Sequence, residues 1–286
     1  MCSSDLDAER DWDDIDYIAA TSGPGLPGAL VVGLNAARGL AFARGLPFTP
    51  PDHIEGHVCA NWLTAGGNTE EPPLPALALV VSGGHTELLL MHAHGAFTRL
   101  GGTRDDAAGE AFDKGARLLG LPYPGGPQVA QLAASGNPAA IDFPRALPQR
   151  SESGFSFSGL KTSLQTYLSQ NPSPNLPDVC ASFQEAIVDA LVRKTVLAAE
   201  RGNYRDIVVA GGVAANQRLR EKLQRALPVG VRLHVPSPKF CTDNGAMIAA
   251  LGAVRFRQED YVEPSGLFQI EVSPSTEAKL ARGKVK

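Results

Sequence analysis

The chain has little of what disulfide-bonded, secreted or membrane proteins need. Its four cysteines are scattered over 286 residues and form no Cys-x-x-Cys pair. This argues against a disulfide framework and against a cysteine-based zinc site, so each cysteine is expected to be a small buried or surface residue. No apolar run reaches the roughly 20 residues of a membrane-spanning helix, and the N-terminus lacks the pattern of a signal peptide. We therefore expect a cytoplasmic protein with no membrane association.

The net charge is also small. The formal net charge is −4 at pH 7, and acidic residues are concentrated in the first 16 positions, so the rest is close to neutral. Composition alone thus gives no electrostatic footprint for nucleic acid. A nucleic-acid partner would need a local basic patch or a helper protein. With 43% hydrophobic and 20% charged residues, the composition is that of a folded protein.

What the sequence does contain is an alternation of strand and helix patterns. This order is typical of an α/β fold with a largely parallel sheet, here with one β-hairpin. Residues 1–14 show no periodicity and are predicted to be a disordered or non-native leader. The length allows two domains, and a loose, proline-rich stretch at 136–153 predicts their boundary. The predicted domains are therefore 15–150 and 151–257, followed by a C-terminal tail, 258–286.

The individual elements follow from periodicity, glycine and proline. Strands are predicted at 16–21, 154–157, 206–210 and 231–235, with a hairpin at 77–91. Helices are predicted at 29–46, 53–63, 105–119, 129–135, 159–168, 177–201, 214–226 and 244–256. In such sheets ligands bind at the carboxyl ends of the strands, where this sequence has glycine turns.

A metal site is suggested by two histidines and one aspartate. His53 and His57 stand at i and i+4, so they share one face of a predicted helix, and neutral imidazoles bind Zn²⁺ or Fe²⁺ well. Asp243 lies at a strand-to-helix junction, where it could either cap the helix or ligate a metal. Two incidental histidines and a simple cap remain the alternative interpretation.

Three other segments suggest a binding site for an anion or a nucleotide. Ser82-Gly83-Gly84 can free backbone amides for an anion, although it could equally be a plain tight turn. Residues 207–216 run from a buried strand through a double glycine into a helix, without matching the Rossmann or P-loop patterns. Asp106, Glu110 and Asp113 share one helix face, which is either solvated or supplies a carboxylate to ribose hydroxyls.

Taken together, these segments resemble one family, the tRNA N6-adenosine threonylcarbamoyltransferases of the bacterial TsaD type. The matching strings are SGPGLPGALVVGLNAARGLA, DHIEGH, LVVSGGHTEL, AFDKGARLLGLPYPGGP, FSFSGLKT, VAGGVAAN and CTDNGAMIA, which span roughly residues 15–257. The resemblance implies a duplicated actin-like ATPase (ASKHA) fold, with two domains around a nucleotide cleft. Family members begin with further strands that have no counterpart here, so the first half is expected to be incomplete and the chain less stable.

The resemblance also implies roles for individual residues. His53, His57 and Asp243 match the ligands of one metal ion, Fe²⁺ or alternatively Zn²⁺. The substrate-binding positions of the family match Val80, Val81, Ser82, Gly83, Gly84, Asp113, Gly126 and Asn216, of which the last three correspond to residues that hold the adenylate.

The implied reaction is an acyl transfer. A threonylcarbamoyl group passes from threonylcarbamoyl-AMP to the N6-amine of the adenosine 3′ of the anticodon, in tRNAs that read ANN codons. The implied protein partners are an actin-fold paralogue of the TsaB type and an ATPase of the TsaE type. Basic residues on one predicted helix, either a tRNA contact or a solvated face, are Arg218, Arg220, Lys222 and Arg225.

Other functions remain open at this point. The chain could be an inactive fragment or a non-catalytic actin-like scaffold, although a scaffold should lack the metal ligands. An actin-like kinase would share the fold without needing His53 and His57. A metallopeptidase is disfavoured because the histidine pair lacks the HExxH general base.

Overall fold

The computed structural model describes residues 10–63, 71–147 and 154–269. Contacts divide the chain into two compact units, one formed by residues 1–59 and 244–286 and the other by residues 60–243. The predicted boundary near residue 150 does not coincide with this division. The reason lies in the sheet of the second unit, which takes strands from both sides of residue 150.

The described part of the chain contains seven strands and eight α-helices. The strands are β1 (Ile18–Ala19), β2 (Phe48–Thr49), β3 (Ala76–Val81), β4 (Thr86–Ala93), β5 (Ala96–Gly102), β6 (Asp206–Ala210) and β7 (Arg232–His234). The helices are α1 (Pro27–Arg44), α2 (His53–Cys59), α3 (Ala108–Leu118), α4 (Gly125–Ala133), α5 (Ser158–Gln170), α6 (Leu176–Gly202), α7 (Gln217–Ala226) and α8 (Gly245–Arg257).

The first unit joins two stretches that are far apart in sequence. β1 pairs in parallel with β2, and α8 packs against α2. α1 buries residues at the predicted helical spacing, including Leu34 and Ala41, and ends where Gly45 adopts a left-handed φ of 65°. Glycine tolerates this conformation without steric cost.

Part of the predicted leader belongs to this unit. Residues 1–9 lie outside the described residues, but Trp12–Asp14 form a 3₁₀ turn capped by Asp11. The guanidinium of Arg44 lies 4.5 Å from the centroid of the Trp12 ring, a cation–π contact. The described end of the predicted leader thus contains one short helical turn.

The second unit is built on a five-stranded mixed sheet with the order β5-β4-β3-β6-β7. β3 and β4 form the predicted antiparallel hairpin, while β6 lies parallel to β3 and to β7. β3 and β6 are buried at every position, as continuous apolar runs in parallel strands should be. The long helix α6 packs against α4, α5 and α7, and its buried face contributes much of the core.

Several boundaries differ from the predictions. β5 was not predicted, because its half-exposed sequence lacks an apolar alternation. α4 begins at Gly125, four residues before the predicted start. The predicted strand 154–157 forms only a single bridge from Phe155 to Thr103. The predicted tail at 258–286 lies partly outside the described residues.

The cysteine prediction is confirmed for three of the four residues. Cys59, Cys180 and Cys241 are buried free thiols, whereas Cys2 lies outside the described residues. Among the described helices, none is long and apolar enough to cross a membrane.

Candidate active site

The predicted histidine pair lies on α2, in the first unit. The ring centroids of His53 and His57 are 4.6 Å apart, and the two rings meet edge to face. His57 is only 1% exposed, while His53 is half-buried. The first turn of the helix is fixed by Asp52, whose carboxylate accepts hydrogen bonds from the amides of Ile54 (2.9 Å) and Glu55 (3.2 Å).

α2 is held in place by α8. A Cβ on Gly56 would approach Ile248 Cδ1 to 2.9 Å, so glycine permits close packing of the two helices. The buried carboxylate of Glu55 accepts a hydrogen bond from Arg255 at 3.1 Å, which joins the helices by an ion pair. The face of α2 that carries the histidines is therefore oriented by α8.

Asp243 enters the site through its chain connection to α8. It is bonded to Asn244, whose side chain caps α8 by accepting a hydrogen bond from the Met247 amide at 2.8 Å. The cap of α8 is thus supplied by Asn244. Potential ligand atoms of His53, His57 and Asp243 all lie within 4.8 Å of one another.

This donor set fits a divalent transition metal. Two imidazole nitrogens and one carboxylate oxygen are the ligand types that Fe²⁺ and Zn²⁺ accept, and three protein ligands leave positions open for substrate oxygens. Interatomic distances of up to 4.8 Å between the ligand atoms are within reach of one ion, given metal–ligand bonds of about 2 Å and small side-chain adjustments.

The predicted substrate residues lie in the second unit, near one edge of the sheet. β3 and β6 are parallel, so Val81 and Ala210 end their strands at the same edge. The hairpin turn after β3 and the double glycine after β6 are consequently neighbours. This is the edge at which α/β sheets bind ligands.

The hairpin turn is closed by hydrogen bonds between Ser82 and His85. Ser82 donates its amide to the carbonyl of His85 at 2.8 Å, and the Ser82 hydroxyl accepts the His85 amide at 3.1 Å. Gly83 and Gly84 are exposed at the tip. The turn is pressed against α3, since a Cβ on Gly109 would lie 2.5 Å from the Ser82 carbonyl oxygen. An exposed pair of glycine amides in a rigid turn suits an anionic ligand.

Asp113 connects α3 to the beginning of α4. Its Oδ1 accepts a hydrogen bond from the Gly125 amide at 2.7 Å. Beside it lies a pocket of about 230 Å³ whose lining includes Asp113, Arg117 and Tyr123. Gly126 follows in the first turn of α4 and is half-buried, with only Phe112 Cβ near the position of its missing Cβ.

The acidic helix face considered beside Asp113 is partly neutralised. Lys114 forms ion pairs with Asp106 at 2.6 Å and with Glu110 at 3.0 Å. Asp106 and Glu110 therefore belong to a surface ion-pair cluster, whereas Asp113 is engaged at the start of α4.

Asn216 is held by two hydrogen bonds. Its Oδ1 caps α7 by accepting the Leu219 amide at 3.1 Å, and its Nδ2 donates to Gln184 Oε1 at 2.8 Å. Gln184 lies on the buried face of α6 and fixes the orientation of the amide. The preceding turn requires Gly211, which has a φ of 91° and whose Cβ would collide with the Val81 carbonyl.

The basic residues of α7 differ in their hydrogen-bond and ion-pair partners. Arg218 and Lys222 of α7 bind the carboxylate of Glu185 on α6, and Lys222 also contacts Asp189. Arg220 donates to backbone carbonyls instead. Only Arg225 has an exposed side chain. Three of these four cations thus stabilise the second unit internally.

Sequence reasoning missed Asp105, which lies near the same edge of the sheet. Its carboxylate accepts hydrogen bonds from the hydroxyls of Ser156 (2.6 Å) and Ser158 (2.8 Å) and from the Phe157 amide (2.8 Å). Burial alone would raise the pKa of Asp105, but these hydrogen bonds lower it. The segment FSFSGLKT therefore donates hydrogen bonds to this carboxylate and contains the first residues of α5.

Comparison with known families gives one match over most of the chain. Residues 6–250 match the family model described as TsaD, tRNA N6-adenosine threonylcarbamoyltransferase. A protein of that name from Magnetococcus marinus is 54% identical over 251 residues, covering 86% of this chain and 71% of the relative. Another from Geobacillus thermodenitrificans is 52% identical over 254 residues, covering 86% and 72%.

Solved structures agree on the fold. HypF from T. kodakarensis superposes with a TM-score of 0.62 at 14% identity, covering 85% of this chain and 41% of that protein. Full-length HypF in its phosphate- and nucleotide-bound form gives 0.58 at 13% identity, covering 80% and 38%. With the family match, these similarities confirm the predicted actin-like ATPase type of α/β fold.

Proposed function

Because the chain belongs to the TsaD family of tRNA N6-adenosine threonylcarbamoyltransferases, we propose that the residues described above carry out this transfer. By its family, the chain is an acyltransferase that acts in tRNA modification. The alternatives, an actin-like kinase and a non-catalytic scaffold, are not favoured by relatives at 54% and 52% identity that share this name.

The proposed reaction forms one bond and breaks one. The N6-amine of the tRNA adenosine attacks the carbamoyl carbon of threonylcarbamoyl-AMP, and the bond from that carbon to the phosphate oxygen breaks. AMP leaves with the bonding pair, and the amine loses one proton to solvent. No cysteine or serine of the described site is needed as a covalent nucleophile, so positioning of the two substrates is the main contribution of the protein.

The proposed donor site lies near the sheet edge of the second unit. The exposed amides of Gly83 and Gly84, together with Asn216, would hold the phosphate and ribose of the AMP moiety. Asp113 and Gly126, beside the pocket of about 230 Å³, would complete the adenylate contacts. Val80, Val81 and Ser82 supply the backbone that leads into the turn.

The proposed metal ligands are His53, His57 and Asp243. One Fe²⁺, or alternatively Zn²⁺, would supply a Lewis acid that polarises oxygens of the donor when bound. The chain itself brings two imidazole rings and one carboxylate close together, and α8 supports the helix that carries the histidines.

The proposed acceptor is the adenosine 3′ of the anticodon in tRNAs that read ANN codons. This base stands in a single-stranded loop, where proteins can reach base edges. The chain's near-neutral charge and the internal use of Arg218 and Lys222 favour help from protein partners, proposed to be a TsaB-like paralogue and a TsaE-like ATPase. A cytoplasmic location follows from the tRNA substrate.

The observation that carries this proposal is the convergence of two histidines and one aspartate within 4.8 Å in a chain of this family. The test compares the unsubstituted chain with Asp243→Ala and with the double variant His53→Ala, His57→Ala. Each is purified without chelators, and metal per chain is measured by elemental analysis. Transfer is measured as modified nucleoside after tRNA digestion, with threonylcarbamoyl-AMP as donor and both protein partners present.

We expect about one Fe or Zn per chain in the parent protein and loss of both metal and transfer in the variants. His94→Ala is the matched control, since His94 contacts Trp62 and is not among the residues of the metal group. Stoichiometric metal that persists in the double variant would refute the ligand assignment. Undiminished transfer by the double variant would refute the role of the metal.

A further inference from the structure

Arg220, on α7, connects two separate segments of the second unit. Its Nε donates to the Ala214 carbonyl at 2.6 Å, and its Nη2 donates to the Pro236 carbonyl and to Cys241 Sγ, both at 3.2 Å. Ala214 lies in the turn that leads to Asn216, and Pro236 follows β7. Cys241 is fully buried, two positions before Asp243.

The acceptors of this guanidinium are all neutral. Within the described ranges, Arg220 forms no ion pair, unlike Arg218 and Lys222 on the same helix. A half-buried guanidinium bonded only to carbonyl and thiol groups retains its full positive charge near the turn. Such a charge also favours an anionic ligand at the adjoining glycine amides.

The chemistry of arginine suits this bridging position. A planar guanidinium carries five N–H donors in a fixed fork, so different edges can bind different segments at once. Lysine has a single ammonium on a flexible stem and cannot reproduce this geometry. Cys241 contributes further, since its thiol contacts the carbonyls of Pro236 and Ser237 at 3.7 Å.

From these contacts we propose that Arg220 is a positioning residue for the transfer reaction. It holds the turn that ends at Asn216 against the segment that ends at Asp243, and so sets the placement of a donor-binding residue relative to a metal ligand. This inference rests on the proposed function, because it takes Asn216 as a donor contact and Asp243 as a metal ligand. It adds a residue that touches neither the donor nor the metal.

The consequence is measurable in binding without turnover. Removing a group that orients a metal ligand typically weakens metal affinity by about 10-fold to 100-fold. We expect Arg220→Met to weaken Zn²⁺ binding by about 10-fold or more, and to weaken AMP binding to the metal-free protein by about 5-fold to 10-fold. Two affinities for unrelated ligands fall together because one side chain supports both segments.

The experiment uses the complete chain. Zn²⁺ affinity is measured by competition with a chromogenic chelator, and AMP affinity by titration calorimetry, with circular dichroism and thermal unfolding to confirm folding. Arg225→Met is the matched control, since it removes the same group from an exposed position on the same helix. Arg220→Lys keeps the charge and one donor group, and is expected to lose both affinities to an intermediate degree.

Zn²⁺ and AMP affinities within twofold of the parent protein in folded Arg220→Met would overturn the proposal. If Arg220→Met does not fold, parent-like affinities in Arg220→Lys would overturn it instead. Asp243→Ala, measured in parallel, separates the two levels of the argument. Unchanged Zn²⁺ affinity in Asp243→Ala would refute the metal site itself. If Zn²⁺ affinity is lost in Asp243→Ala but retained in Arg220→Met, only the role of Arg220 is refuted.

Discussion

Substituting Glu185 by glutamine should destabilise the second unit in a pH-dependent way. Glu185 lies on α6, and its carboxylate accepts two hydrogen bonds of 2.8 Å from the guanidinium of Arg218 and a further one from Lys222. Only 11% of its side chain is exposed, so solvent screens these interactions weakly. Glutamine preserves the shape but removes the charge that both cations face.

The magnitude follows from the groups involved. A hydrogen bond to a charged partner contributes about 1.5–3 kcal/mol, and removing one partner of a buried pair costs more when the other stays buried. Arg218 and Lys222 retain 31% and 25% side-chain exposure and can turn towards water. We therefore expect a loss of about 2 kcal/mol at pH 7, near the lower end of these values.

The pH dependence has a definite sign. Burial alone would raise the pKa of Glu185, but Arg218 and Lys222 lower it from 4.5 to about 2. A carboxylate whose pKa is lower in the folded state than in the unfolded state contributes fully to stability at pH values above its unfolded-state pKa. That contribution decreases as the pH falls from 4.5 towards 2. The stability difference between parent and Glu185→Gln should therefore be constant above pH 5.5 or so and shrink in more acidic solution.

The assay is urea unfolding followed by circular dichroism at several pH values between 7 and the acid limit of the folded protein. In a parallel thermal unfolding experiment at pH 7 we expect the melting temperature to fall by about 4–8 °C, for a chain of this size. Glu200→Gln, an exposed glutamate on the same helix, is the control and should change stability by less than about 0.5 kcal/mol. A difference that is the same at pH 7 and pH 4 would refute the electrostatic explanation.

Three further predictions concern other parts of the second unit. Asp105→Ala should lower the free energy of unfolding in urea by about 1–2 kcal/mol at pH 7, because it removes the hydrogen bonds at the beginning of α5. This loss should decrease in acid, because the pKa of Asp105 is lowered in the folded state. Gly211→Ala should cost about 1–3 kcal/mol or more, measured in the same way, because of its φ of 91° and the nearby Val81 carbonyl. Iodoacetamide at pH 8 should label Cys180 only after unfolding, as peptide mass mapping would show, because burial raises the pKa of its thiol to about 11. Rapid labelling of Cys180 in the native protein would contradict the burial.

The elements that could be predicted from the sequence are those that the residues of a single segment specify. The buried strand 206–210 was predicted residue for residue, and the hairpin around Ser82–Thr86 was identified from its glycines. The histidine pair was identified by its i, i+4 spacing on a helix. In each case one segment contains all the information, whether in its hydrophobicity, its turn residues or its periodicity.

Features that depend on distant segments were not predicted. The boundary near residue 150 ignores the pairing of β3 with β6, which the loose composition of 136–153 does not reveal. The roles of the α7 cations were equally hidden, since the partner of Arg218 lies on α6 and the acceptors of Arg220 lie in two separate turns. Asp243 was a candidate ligand from its position at a strand-to-helix junction, and Asn244 as the cap was not distinguished from it.

The first unit is assembled from both ends of the chain, and this has a consequence for its synthesis. A ribosome completes residues 60–243 before it reaches α8, so the second unit has all its strands while α1 and α2 still await their packing partner. Domains fold as units during synthesis, at about 5–20 residues per second. The second unit therefore acquires its structure first, and the helix that carries His53 and His57 gains its support only after α8 emerges. A nascent chain stalled when Asp243 has just left the ribosomal exit tunnel, with α8 still inside it, should show a second unit that resists protease and an α2 that is open to cleavage.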